Sequence, residues 1–220
     1  MAISYVNSTG NGATSGTEVT VTKPTGIQAG DTIIALVNAR GNTTISDNNG
    51  SNAFTSLYTN TLYFSQGKYH IFKRIATASE PASYAFALAS SVAWAVAISV
   101  YRGADTSAFR ITPSASTHNA SFNTAPTAPA ISSGLTAGDM LIAVACMANA
   151  YAINSTPSGW DARQTLTGNN STGLVDKLAT GTSQSSAAWA IPGSTGWAAN
   201  MFALKPSAPT GNALFFGMNF

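Results

Sequence analysis

Large and small side chains alternate along much of this chain at the two-residue period of a β-strand. Tyr84-Ala85-Phe86-Ala87-Leu88 sets three large residues on one face, and Trp94, Val96, Ile98 and Val100 line one face of the following segment. Glu80-Pro81 before the first segment and Ser90-Ser91 between the two mark turns, so an antiparallel pair is expected. Residues 187–191 and 197–204 repeat this arrangement across Pro192-Gly193-Ser194-Thr195-Gly196. The runs 33–37 and 141–147 are apolar almost without a break, as in strands covered on both faces. No segment carries a capped apolar stripe of helical period. The chain reads as all-β, with first-half strands near residues 3–6, 18–22, 31–38, 54–64, 69–76, 83–88 and 94–101. Short, evenly spaced strands punctuated by Gly, Pro and Ser point to a β-sandwich or jelly roll.

The pattern occurs twice. Gly26-Ile27-Gln28-Ala29-Gly30-Asp31-Thr32-Ile33-Ile34-Ala35 returns 108 positions on as Gly134-Leu135-Thr136-Ala137-Gly138-Asp139-Met140-Leu141-Ile142-Ala143. Phe72-Lys73-Arg74-Ile75-Ala76-Thr77 returns 103 positions on as Val175-Asp176-Lys177-Leu178-Ala179-Thr180. At that second offset Phe86-Ala87-Leu88 becomes Trp189-Ala190-Ile191, and Trp94 becomes Trp197. The change of offset places a five-residue deletion between the blocks, where loops are expected. Such a period fits a duplicated small domain. Gly30 and Gly138 suit a turn with positive φ, and Asp31 and Asp139 suit acceptance of its N–H groups. The expected organisation is two tandem jelly-roll-like sandwiches over 1–111 and 112–206, with a linker-like start at 112–129 and an arm at 207–220. The halves form either two beads or one extended core.

Composition narrows the function classes. Charged residues make up 8% of the chain, where about 25% is typical. The surface therefore draws its polarity from Ser, Thr, Asn and Gly, which suits extensive protein contact. No run approaches the ~20 apolar residues of a membrane-spanning helix. A formal charge of +2 with scattered Lys and Arg does not imply nucleic acid, and Lys73-Arg74 is expected on a solvated strand edge. Cys146, the single cysteine, lies in an apolar run and reads as a buried inert thiol. Met1-Ala2-Ile3-Ser4-Tyr5 has neither a basic nor an apolar leader segment, so synthesis in a cytoplasm without a signal peptide is expected.

The chemistry-bearing residues are sparse. His70 is expected on the solvent face of a strand, and His118 in the linker, neither with metal-ligand spacing to another donor. No nucleophile elbow or paired carboxylates stand out. Ser46-Asp47-Asn48-Asn49-Gly50 hints at calcium but reads better as a plain turn. No catalytic, cofactor or metal site is expected. Trp160, in Pro157-Ser158-Gly159-Trp160, is either a core anchor or a sugar-stacking platform. Beyond the linker Pro206-Ser207-Ala208-Pro209-Thr210-Gly211, the terminus carries Leu214, Phe215, Phe216, Met218 and Phe220. Left in water these side chains would favour aggregation. They form either a last strand of their own sandwich or an arm that docks on a partner.

Gly30-Asp31, Pro157-Ser158-Gly159-Trp160, Tyr84 with Phe86, residues 97–103 and Ala203-Leu204-Lys205-Pro206 together resemble a pattern found in duplicated structural proteins of tailed-phage virions. The first half lacks the Pro-Ser-Gly-Trp signature. The resemblance covers about residues 20–206 and implies a non-enzymatic virion component made in the host cytoplasm. A capsid cement or decoration protein is the leading expectation, with a tail- or fibre-associated component or a carbohydrate-binding adhesion module as alternatives. The implied partners are other virion subunits, copies of itself in the particle, and in the adhesion reading a host surface glycan.

Overall fold

Alternation along each strand gives it one face for a sandwich interior, and in both halves the second face of the larger sheet is also covered. The computed structural model describes residues 1–62, 65–114, 116–118, 122–168 and 170–208. The first half contains β1 (Ser4–Ala13), β2 (Glu18–Thr22), β3 (Thr32–Arg40), β4 (Ile45–Asp47), β5 (Thr55–Thr61), β6 (Gly67–Ile75), β7 (Ser83–Leu88) and β8 (Trp94–Arg102). Pairing is antiparallel and nested, β1 with β8, β2 with β7 and β3 with β6, as in a jelly roll. A five-stranded sheet, β1-β8-β3-β6-β5, faces a three-stranded sheet, β2-β7-β4.

The second half repeats this plan with β9 (Ala104–Ile111), β10 (Ser116–His118), β11 (Thr127–Ala128), β12 (Met140–Met147), β13 (Asp161–Leu166), β14 (Thr172–Leu178), β15 (Ala187–Ala188) and β16 (Trp197–Pro206). β9 and β10 both pair with β16 and together hold the position of β1, beside the order β16-β12-β14-β13. β11–β15 matches β2–β7, and an isolated bridge between Ser155 and Ala190 stands where β4 meets β7.

Three sequence expectations need correction. β7 and β8 do not pair with each other; nesting sends them to opposite sheets, and β15 and β16 likewise. The crossing between halves falls at Gly103, before 112, because β9 already belongs to the second large sheet. Gly103 has φ of 78°, and a Cβ there would lie 2.5 Å from the Ala2 carbonyl oxygen, so the turn requires glycine. The presumed linker also contains strand β10, in which His118 pairs with Ala198.

The halves share one extended core. Val19, Val37, Phe72, Phe86 and Val96 fill the first sandwich, and Leu141, Val175, Trp189 and Met201 the second. A further layer joins the two large sheets face to face, with Ile34, Leu36 and Ile71 against Ile142, Val144, Leu174 and Phe202. This third layer explains the uninterrupted apolar runs: β3 and β12 are covered on both faces. Asn38 crosses it, its Nδ2 donating to Met147 O (3.0 Å) and Ser171 O (3.1 Å).

The repeated Ala-Gly-Asp turn forms twice with the same hydrogen bonds. Gly30 and Gly138 take φ of 88° and 91°. Asp31 Oδ2 accepts from Gln28 N (2.8 Å), and Asp139 Oδ2 from Thr136 N (2.7 Å). Arg102 from β8 grips both oxygens of Asp31, at 2.9 and 2.8 Å, whereas Arg110 from β9 reaches Asp139 through Nε alone, at 2.9 Å.

Candidate functional site

Most ionisable groups are absorbed by the fold. β6 lies between β3 and β5, so its Lys73-Arg74 pair is not on a solvated edge. Arg74 faces the sandwich interior and pairs with Glu80 (2.9 Å). Burial alone would raise the Glu80 pKa; donation from Arg74, the Thr77 N–H and hydroxyl, and the Tyr84 hydroxyl instead holds it down at about 2. His70 is buried, stacked on Phe72 with centroids 3.8 Å apart, and its Nε2 lies 2.6 Å from Ser56 Oγ. Burial pushes it down to about 4, against a hydrogen bond with the Ile45 backbone that raises it. The solvent-face expectation fails because His70 shares the interior face with Phe72.

Cys146 is buried, and burial drives its thiol upward, away from the reactive thiolate. Asp47 caps its own turn, accepting from Asn49 N (3.3 Å), Asn49 Nδ2 (2.6 Å) and Phe54 N (3.0 Å). Among the described residues no group of three or more His, Cys, Asp or Glu is placed to hold a metal ion. Trp160 is 9% exposed in the second core, with Lys177 Nζ 5.6 Å from its ring centroid. It has the anchor geometry of the two sequence readings. A sugar needs an open ring face, so the glycan contact at Trp160 is not carried forward. Leu214, Phe215, Phe216, Met218 and Phe220 lie outside the described residues.

The seam between the two large sheets offers a pair of matched edges with opposite chemistry. Each begins at a β-bulge in the outermost strand. In β5 the bulge falls at Leu57, and in β13 at Arg163, both beside equivalent registers: Thr55 opposite Lys73 and Asp161 opposite Asp176. The facing half supplies a ring in each case, Tyr5 opposite Tyr101 in β1–β8 and Phe109 opposite Leu204 in β9–β16.

One edge is closed. Arg163 Nε donates to both oxygens of Asp176 at 2.9 Å, its NH2 reaches Asp161 (3.0 Å), and its guanidinium lies 4.0 Å from the Tyr5 ring centroid. Ser8 Oγ donates to Arg163 O (2.8 Å) and accepts from Gln164 Nε2 (3.1 Å). Burial pushes the Asp176 carboxyl up, and Arg163 opposes it.

The other edge is open. Leu57 is too short to fill the space that Arg163 fills, leaving a cleft of about 380 Å³ lined by Thr55, Leu57, Lys73, Ile75, Ser107 and Phe109. Lys73 Nζ donates to Thr106 O (2.8 Å) and lies 4.9 Å from the Phe109 ring centroid. Burial lowers its pKa, with nearby Asp105 acting the other way. Sequence reading passed over this site. Its signal was the charge reversal inside the repeated block, Lys73 where the second half has Asp176.

No family model, no curated protein and no solved structure matches this chain.

Proposed function

We propose that this protein is a non-enzymatic structural component of a phage particle, a cement or decoration subunit that docks on other virion proteins through residues 209–220. One observation supports this most directly: the described strands already fill the positions of the second sandwich. Among the described residues β16 occupies the position of β8 and is paired on one side by β12 and on the other by β9 and β10, and every first-half strand has a counterpart, that of β4 being the bridge between Ser155 and Ala190. Ser207, just before that segment, is tied to both ends of the first sandwich. Ser207 N donates to Gly103 O (2.8 Å), and the Met1 ammonium donates to Ser207 O (3.0 Å).

The proposed mechanism is burial of Leu214, Phe215, Phe216 and Phe220 on a partner, each contributing about 1.5–3 kcal/mol before ordering costs. Repetition over many copies in a particle turns a modest single contact into firm attachment. The test compares full-length chain with a chain ending at Ala208, each produced with the particle proteins of its phage. The short chain should keep its Tm yet be absent from purified particles by mass spectrometry. Unfolding of the short chain, or its normal incorporation, overturns the reading. Imaging of labelled particles then separates capsid from tail or fibre attachment.

A further inference from the structure

We propose that the open cleft between β5–β6 and β9 receives an acidic side chain of a partner protein, its carboxylate on Lys73 and its methylene stem between Leu57 and Phe109. This rests on the docking reading above and names the chemistry of a second contact.

The closed edge supplies the template. There, a long side chain from the bulge lies across an aromatic ring and ends on a buried charge of opposite sign, Arg163 over Tyr5 onto Asp176. At the open edge the ring is present as Phe109 and a half-buried charge as Lys73, but Leu57 cannot span the gap. Charge reversal from Asp176 to Lys73 reverses what the site requires. An ammonium has three N–H donors, and Thr106 O takes one. Among the described residues Lys73 makes no ion pair. The carboxylate that acts on Lys73, Asp105, pairs with Lys205 (3.1 Å) and accepts from Ser107.

Desolvation of the half-buried ammonium outweighs the attraction of nearby Asp105, and an arriving carboxylate offsets the remaining cost while gaining a charge-assisted hydrogen bond. Leu57, Ile75 and Phe109 provide apolar wall for a methylene stem. β5 is the outermost strand of its sheet, so an extended partner segment can approach alongside it and present alternate side chains toward the cleft.

The test uses soluble full-length protein, so its failure leaves particle incorporation by the C-terminal segment standing. The probes are a blocked pentapeptide with a central glutamate flanked by valines, its glutamine counterpart, and free hexanoate. The readout is the Lys73 side-chain NMR signal, assigned with Lys73→Met. The glutamate peptide should shift that signal saturably and bind at least about tenfold more tightly than the glutamine peptide, about 1.4 kcal/mol of discrimination. Lys73→Met should abolish the preference. Thr55→Trp, at the exposed rim, should block binding without touching the core. Equal binding of both peptides, no shift, or unchanged binding in Thr55→Trp overturns the proposal. Hexanoate binding as tightly as the glutamate peptide also overturns it, since the occupant is then a free small acid.

Discussion

Trp94 and Trp197 stand at the same point of the two halves, opposite Ala39 in β3 and Met147 in β12, yet only one indole is hydrogen-bonded. Trp197 Nε1 donates to Asn123 Oδ1 at 2.8 Å, while Trp94 Nε1 is buried without an acceptor among the described residues. Both rings are 5% exposed, so their apolar burial is matched and the N–H is what differs.

Substitution should expose that difference. Trp→Ala at either position should cost about 3–5 kcal/mol, as for other large core truncations. Trp197→Phe should cost about 1 kcal/mol more than Trp94→Phe, because it alone breaks a hydrogen bond, whereas Trp94→Phe removes an unsatisfied donor. Urea denaturation of the four variants measures both comparisons. Equal costs for the two Phe variants would refute the assigned difference.

His70 should give the fold an acid-sensitive step. Its folded pKa of about 4 lies below the ordinary 6.5, so between these values the unfolded chain binds the extra proton. Its stabilising effect is therefore complete above pH 6.5, declines as pH falls toward 4, and changes no further below that. The loss should be on the order of 2 kcal/mol, reduced from the full shift by solvent near the Ser56 hydroxyl. Glu80, held at about 2, loses its contribution in a separate window as pH falls from about 4.5 toward 2. His70→Gln should flatten the upper window and leave the lower one. A Tm profile from pH 8 to 3 that is the same in both proteins would show that His70 does not titrate this way.

The all-β class, the duplication and most strand positions were legible because they depend on local alternation and turn residues. The Asp31 and Asp139 turns were legible for the same reason. Strand partners were not: Phe86 and Trp94 sit on neighbouring strands in sequence, but nested pairing sends them to different sheets, a decision made by contacts far apart in the chain. His70 was misplaced because alternation identifies two faces without saying which is buried when both are. The seam was the least legible element. Leu57 and Arg163 become equivalent only once the two bulges are seen, and no local pattern marks a bulge between ordinary strand residues.

The closed edge of the seam should behave as a coupled pair. Arg163→Met leaves Asp176, itself buried, without its cation, and should cost about 3–5 kcal/mol. Asp176→Asn should cost less alone, because Arg163 keeps Asp161 and the Tyr5 ring. The double variant should be more stable than Arg163→Met alone, giving a double-mutant coupling of at least about 1 kcal/mol. Additive costs would mean that the two groups do not stabilise the seam through each other.

The central layer makes a stronger claim, that neither half is an independent folding unit. Ile34, Leu36 and Ile71 are fully buried only because Ile142, Val144 and Phe202 cover them, and Asn38 fixes the two sheets through backbone acceptors of the second half. Separating the sandwiches would expose an apolar sheet face on each and strand that amide's partners. Opening the seam should therefore cost enough to tie the two unfolding transitions together. Calorimetry should give a single peak whose van't Hoff and calorimetric enthalpies agree. Trp94→Ala in the first sandwich and Trp197→Ala in the second should both move that one peak. A fragment of residues 1–102 alone should aggregate or stay unfolded. Two separate peaks, with each substitution moving only its own, would mean that the halves are beads in contact rather than one core.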